Sequence, residues 1–196
     1  MLQKNNVSCG TSERLSLYVD LVKKWNAKIN LVSINALNEF QMRHIDDSLQ
    51  LLNYISINQS VIDLGSGGGL PGVVLSISGV RNVSLIESDE RKASFLIQAT
   101  NIIPNDCIMN VINERIEKLD GLSCDVITSR AFAELNKIFE YSRKIKVRDK
   151  YLLHKGENYQ QEIDRASRDW LFNINIHDSL TSERGKILEI KNVRSK

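Results

Sequence analysis

Apolar and polar positions follow two different periods along the chain. Near the start, Leu15, Tyr18, Val22, Trp25 and Ile29 recur at spacings of three and four, which is one face of an amphipathic helix. Ser12, followed by Glu13, suits the cap region of that helix. A second helical stretch is predicted over about 38–54. From residue 60 onward, short apolar runs alternate with amphipathic ones. Strands are predicted at 60–64, 83–87, 107–112, 124–128 and 150–154. Helices at 70–78, 89–100, 134–146 and 157–167, and a helix or turn at 114–119, separate them. This alternation implies a parallel sheet with helices on both faces. The tail departs from it, because Leu171–Ile176 and Lys186–Ile190 read as two strands joined by a polar turn, a terminal hairpin. The expected organisation is a helical extension over 1–55 and one α/β unit over 56–196, with no internal repeat, low-complexity segment or linker.

The stretch from Val61 to Glu87 carries the strongest chemical signal. An apolar strand meets Gly65-Ser66-Gly67-Gly68-Gly69-Leu70-Pro71-Gly72, a helix follows, and a second strand ends in Glu87. That order is the front half of a nucleotide-binding α/β unit. Gly65, Gly67 and Gly69 let the backbone turn sharply and approach a ligand closely. Pro71 suits the first turn of the helix Leu70–Ser78, whose amino end is then expected to point at the ligand. Two cofactors compete for the loop. Gly67-x-Gly69-x-x-Gly72 matches the dinucleotide fingerprint. The fuller pattern Asp63-x-Gly65-x-Gly67-x-Gly69 resembles the first motif of the class I S-adenosylmethionine-dependent methyltransferases. Glu87 fits both, since a carboxylate ending the second strand can bind ribose hydroxyls.

Composition narrows the class. The 196 residues suffice for a proper core, and 42% hydrophobic with 26% charged residues is ordinary for a globular chain. No apolar run reaches the length of a membrane span, and the first ten residues lack the apolar core of a signal peptide, so the expectation is a cytoplasmic protein. Cys9, Cys107 and Cys124 show no C-x-x-C spacing and read as free thiols, the last two as core residues, with no metal site. The net charge of +2 hides an asymmetry: 11 Lys/Arg against 14 Asp/Glu up to residue 129, and 15 against 10 beyond it. Arg143, Lys144, Lys146, Arg148 and Lys150 fall within eight residues, which is either a solvated helix end or a phosphate-contacting rim beside the cofactor.

In open α/β sheets ligands sit outside the carboxyl ends of the strands. The first strand end offers Asp63 and the glycines, the second Glu87, the third Arg115-Ile116-Glu117, the fourth Ser129-Arg130-Ala131-Phe132-Ala133 and the fifth His154-Lys155-Gly156. Arg130 sits where substrate meets cofactor, with a salt bridge to Glu87 or Glu117 as the structural alternative. His44 and Asp47, at i and i+3, read as a fastening of the N-terminal helices to the sheet more readily than as an acid–base pair.

Five ordered landmarks then carry a family resemblance over nearly the whole chain: Lys24-Trp25-Asn26 with Asn30-Leu31-Val32-Ser33, Arg43-His44-Ile45-Asp46-Asp47-Ser48, the loop from Asp63 to Gly72, Ser129 to Ala133, and Lys155-Gly156. The chain resembles the small-subunit (16S) ribosomal RNA guanine-N7 methyltransferases, the glucose-inhibited division protein B family. The resemblance implies a class I S-adenosylmethionine-dependent fold, a mostly parallel seven-stranded sheet with a terminal antiparallel hairpin behind an N-terminal helical extension. It implies S-adenosylmethionine as cofactor, lined by Gly65 and Leu70, with Ile116 and Glu117 at its adenine end and Arg130 beside donor and substrate; the loop pattern adds Gly67, Gly69 and Glu87 to the expected donor contacts. It also implies 16S ribosomal RNA or the small ribosomal particle as partner; on charge and position Arg143, Lys144, Lys146, Arg148 and Lys155 are the residues expected to meet its phosphates, and a monomer is expected. Two positions depart from the family pattern: His154 replaces a leucine, and Gly68 takes a place often held by Ala or Pro.

The residues agree with a ring-nitrogen target. Exocyclic-amine methyltransferases carry an Asn/Asp-Pro-Pro-aromatic turn after the fourth strand, and here Pro71 and Pro104 are the only prolines. Cytosine-C5 enzymes need a thiolate at the site, whereas Cys124 begins its strand. Guanine N7 is a bare lone pair, so proximity and alignment suffice and no general base is required. An NAD-dependent oxidoreductase would need a second nucleotide half and a catalytic Tyr-Lys or His, neither of which is evident. A non-catalytic RNA-binding protein would not need the intact loop with Glu87, Glu117 and Arg130.

Overall fold

The computed structural model describes residues 9–33 and 44–196. Helix α1, Cys9–Asn26, buries Leu15, Tyr18 and Val22 as its periodicity predicts. Ile29 belongs to the turn that follows, where the amides of Lys28 and Ile29 both bond the Trp25 carbonyl. Of the second predicted helix, 38–43 lies outside the described residues. The rest is a short helix, α2 (Asp46–Leu49), continued by a 3₁₀ turn to Asn53.

Seven strands follow: β1 (Ser60–Leu64), β2 (Asn82–Ile86), β3 (Ile108–Ile112), β4 (Ser123–Arg130), β5 (Lys146–Lys155), β6 (Trp170–Asp178) and β7 (Lys186–Ser195). They form one sheet in the order β3-β2-β1-β4-β5-β7-β6. β1 to β5 run parallel, and β7 inserts antiparallel between β5 and β6. Four helices connect them: α3 (Gly72–Ile77), α4 (Glu90–Ala99), α5 (Leu135–Tyr141) and α6 (Tyr159–Asp169). Successive strand side chains point to opposite faces, so the sheet builds two cores. Val61, Leu85, Val126 and Leu152 meet α1, α3 and α4 on one face. Ile62, Leu64, Ile127 and Leu153 meet α5 and α6 on the other. β1 is buried from Val61 to Leu64, as a strand covered on both sides must be.

The elements match the predicted ones in order and kind, with informative differences in extent. α3 starts at Gly72, two residues later than expected, with Pro71 at the cap position outside it. β5 starts at Lys146, four residues early, so Lys146, Arg148 and Lys150 are strand residues and not a helix end. Only its second half pairs with β7, from Tyr151 to Lys155. Among the described residues the first half has β4 as its sole neighbour and an open second edge, and a free edge tolerates its charged sequence.

Candidate functional site: a cavity at the carboxyl ends of the strands

The strand order reverses between β1 and β4, and ligands of open α/β sheets sit outside such a reversal. A cavity of about 690 Å³ opens there. Its walls come from the loop after β1, from Glu87 after β2, from Arg115 to Glu117 after β3, and from Arg130 to Glu134 after β4. Leu31 and Val32, behind α1, close one side. The Asn26 side chain holds them by accepting both of their amides, at 2.9 and 3.0 Å.

The loop is built to leave space. Gly67 has φ +53°, and a Cβ there would meet nothing closer than the Gly65 carbonyl at 3.8 Å, so its bare side faces the opening. The Phe132 ring lies against Gly65, where an added Cβ would come within 2.1 Å of it. Gly69 is a correction to the expected donor contacts. It lies behind the loop, where a Cβ would strike Val73 at 2.4 Å, so it shapes the turn without lining the cavity. Leu70 does line the cavity.

Three side chains set the loop's position. Glu87, at the cavity wall, accepts the Gly67 amide on Oε2 and the Asp89 amide on Oε1, both at 2.8 Å. Tyr18, buried on α1, donates its hydroxyl to the Gly68 carbonyl. Asp63 lies beneath, accepting the Thr128 hydroxyl at 3.1 Å and the Gly72 amide at 3.3 Å. Complete burial pushes the Asp63 carboxyl up to about 7, against which its hydrogen bonds act only in part. The amino end of α3 therefore spends its Gly72 N–H on Asp63 and not on a ligand, contrary to the expectation for this helix.

Ile116 forms part of the buried wall, and Glu117 stands exposed at the lip. Opposite, Arg130 ends β4 with its side chain 20% exposed. Its partners are neither Glu87 nor Glu117. Arg130 Nε lies 3.2 Å from Asp47 Oδ2, and its guanidinium also meets His44 Nδ1. Asp47 in turn accepts Gln50 at 2.6 Å and Thr181 at 2.8 Å. His154 donates Nε2–H to the Asp47 carbonyl at 2.9 Å. Burial holds the His154 ring below its usual pKa, hence neutral. His44 and Asp47 thus fasten the N-terminal segment to the sheet, as expected, and they do so through Arg130 itself. Ala131, next along, takes φ +51°, a strained value for a residue with a Cβ.

The basic residues fall elsewhere, which corrects the expected rim. Lys155 is 7% exposed and donates to the Ala133 carbonyl and to Glu162, both at 2.6 Å, so it ties a loop to α6 instead of meeting a phosphate. Lys146 pairs with Ser123 at the start of β4, seven residues from Arg130, or roughly 23 Å at about 3.3 Å per residue. Arg143, Lys144, Lys146 and Arg148 thus lie at the amino edge of the sheet, opposite the cavity. Cys107 and Cys124 are buried in the core as expected, and burial pushes the Cys124 thiol up to about 12. Sequence reasoning missed Phe132, Leu31 and Val32 as cavity walls, although all three stand inside the motifs that carried the family resemblance.

This fold and cavity define a class I S-adenosylmethionine-dependent methyltransferase. Among solved structures, a MtNAS variant in complex with S-adenosylmethionine aligns with a TM-score of 0.61 at 15% identity, over 92% of this chain and 75% of that one. Magnesium protoporphyrin IX methyltransferase from Synechocystis PCC 6803 aligns with a TM-score of 0.60 at 14% identity, over 92% and 95%. The family model described as rRNA small subunit methyltransferase G (GidB) matches residues 11–191, and the chain belongs to that family. The ribosomal RNA small subunit methyltransferase G of Rickettsia massiliae (strain Mtu5) is 52% identical over 182 residues, covering 92% of this chain and 93% of that protein.

Proposed function

We propose that this chain transfers the methyl group of S-adenosylmethionine to N7 of a guanine in 16S ribosomal RNA, as naked RNA or within the small ribosomal particle, working as a cytoplasmic monomer. The observation that carries the reading is one cavity with a glycine loop and a carboxylate on one side and a braced arginine on the other. The residues fit the donor: Gly67 leaves room for a close approach, and Glu87 keeps unused lone pairs on both oxygens at the wall, suited to ribose hydroxyls. Gly65, Gly67, Leu70 and Glu87 would hold it, with Ile116 and Glu117 at its adenine end. When bound, the donor supplies a methyl group on a sulfonium, an electrophile that needs no activation.

Guanine N7 presents a lone pair and no proton, so no side chain has to remove one. The structure suits that economy. Asp63, the carboxyl pushed up to about 7, is walled off under Gly72 and Thr128 and cannot serve as a base. His44 is engaged with Arg130. What remains is positioning: Arg130, with its fork of donors fixed by Asp47, holds a phosphate or a guanine acceptor so that N7 stays in line. The target base must leave its stack to enter such a pocket.

Incorporation of tritiated methyl into 16S RNA or small ribosomal particles tests the reading, and absence of label from both would overturn it. Titration with S-adenosylhomocysteine and with NAD separates it from a dehydrogenase. Arg130→Lys keeps the charge and removes the fork. Donor affinity is expected within a few-fold of wild type, and single-turnover methylation about a hundredfold slower, or about 2.7 kcal/mol. Near-wild-type turnover would reduce Arg130 to a structural ion pair.

A further inference from the structure

The basic residues displaced from the donor cavity surround an opening of their own. β5 and β7 pair only from Tyr151 with Ile190 to Lys155 with Lys186. Beyond that point 146–150 and 191–195 diverge, with Asn192 at φ +57° where β7 turns away. A cleft of about 480 Å³ lies between them at the amino edge of the sheet, with Trp170 in its wall. Arg143, Lys146, Arg148, Lys150, Lys191 and Arg194 line it, against a single acid, Asp149.

Two kinds of cation are present. Arg148 is fixed by Asp125 at 2.7 Å and by the Ser60 and Ser123 hydroxyls. Lys150 and Lys191 share Asp149 and Glu189. These three are already partnered within the walls of the cleft. Arg143, Lys146 and Arg194 are exposed and have no ion pair among the described residues, and Lys144 stands beside them in the same state. Counting the seven cations against Asp125, Asp149 and Glu189, the edge carries four uncompensated positive charges in and beside a concave surface.

We infer that this cleft is a second binding site, for the phosphate backbone of an RNA segment remote from the methylated base. The inference rests on the proposed RNA substrate. The cavity and the cleft lie about 23 Å apart straight along β4, and a path over the surface is longer, so one nucleotide and its neighbours cannot fill both and the second contact falls to a remote stretch of the RNA. That favours a structured RNA over a short oligonucleotide.

The triple variant Arg143→Gln, Lys146→Gln, Arg194→Gln tests it. Each lost contact to single-stranded RNA flattens the log–log salt dependence of binding by about 0.7, so three flatten it by about 2 and weaken binding about a hundredfold at 0.1 M salt. S-adenosylhomocysteine affinity should not move, which also certifies the fold. The variant should bind a short stem-loop carrying the target guanine as wild type does, and lose affinity only for full 16S RNA. A wild-type salt slope with full RNA overturns the site while wild-type methylation leaves the proposed function standing. If wild-type protein methylates no RNA, the proposed function falls, and the salt slopes still judge the cleft. Loss of binding to vesicles of anionic phospholipid, with RNA binding unchanged, would assign the cleft to a membrane surface and overturn the inference too.

Discussion

Replacing Asp47 by Asn isolates the contact that positions Arg130. The carboxylate lies 3.2 Å from Arg130 Nε, with side-chain exposures of 13% and 20%. At an effective dielectric of about 20 that separation corresponds to roughly 5 kcal/mol of Coulomb attraction, against which desolvation of both ions must be set. Removing one member of a buried pair typically costs about 3–5 kcal/mol, because the other charge is left without compensation. Asn keeps an oxygen to accept from Gln50 and Thr181, so those two bonds survive and the lower end, about 3 kcal/mol, applies. For a chain of this size that is a fall in Tm of roughly 6–12 °C. The glycine loop and Glu87 share no bond with Asp47, so S-adenosylhomocysteine affinity should stay within twofold or so of wild type. Methyl transfer should fall at least tenfold in single turnover, since the guanidinium loses its brace. Thermal unfolding by circular dichroism, donor titration and quench-flow methylation on the same preparation check all three. Combining the change with Arg130→Met gives the decisive cycle: the double variant should be more stable than Arg130→Met alone, whose Asp47 carboxylate has lost its ionic partner. A Tm within 2 °C or so of wild type, or strictly additive effects in the cycle, would refute the reasoning.

Two further outcomes follow from the loop and what lies beneath it. Gly67→Val adds a branched side chain at φ +53° into otherwise open space, so S-adenosylhomocysteine binding should be lost at a stability cost of only about 1–2 kcal/mol, whereas Gly69→Val, which strikes Val73, should unfold the loop; isothermal titration and melting of both variants separate the cases. Asp63 holds a proton in the folded chain up to about pH 7 that the unfolded chain releases near 3.8, so its contribution to stability declines as pH rises from about 4 to 7, and Asp63→Asn should remove that decline in urea unfolding followed against pH. His154 works in the opposite sense, because its depressed pKa removes stability as pH falls below 6.5; the two slopes are therefore to be read on the single variants.

Much of this was legible in the sequence because it is local. The alternation from β1 to α6 follows from apolar periodicity, and the terminal hairpin from the break in that alternation. The loop after β1 is a run of adjacent residues, so its glycines and Glu87 come into view from spacing alone. The basic cluster was misplaced for a physical reason. Periodicity reads a charged stretch as a helix end, but 146–150 is half of a strand with one free edge, and a free edge tolerates charge. Lys155 looked like a phosphate ligand because its sequence neighbours could not show Glu162 and the Ala133 carbonyl enclosing it. The partners of Arg130 were equally invisible. Glu87 and Glu117 were the acids at neighbouring strand ends, whereas Asp47 arrives from outside the sheet.

That difference in origin separates two halves of the cavity. The centre of the proposed donor side is one continuous βαβ segment, with Glu87 reaching back 20 residues to the Gly67 amide. The proposed substrate side is assembled from distant pieces. Arg130 comes from β4, His44 and Asp47 from the segment before β1, His154 from β5 and Thr181 from the turn of the terminal hairpin, 134 residues from Asp47. Loop-closure entropy rises only slowly with such separations, so the assembly is feasible, but each piece must be held by its own contacts. A substitution that fills open space on the donor side, as Gly67→Val does, therefore acts on cofactor affinity and leaves the fold nearly intact. One on the substrate side is expected to act on stability and chemistry together, because Arg130, the group proposed to position the base, is also the joint between the N-terminal segment, the sheet and the hairpin. His154 belongs to that joint. At this position the chain places a neutral ring that donates to the Asp47 carbonyl, adding a polar fastening beside Arg130.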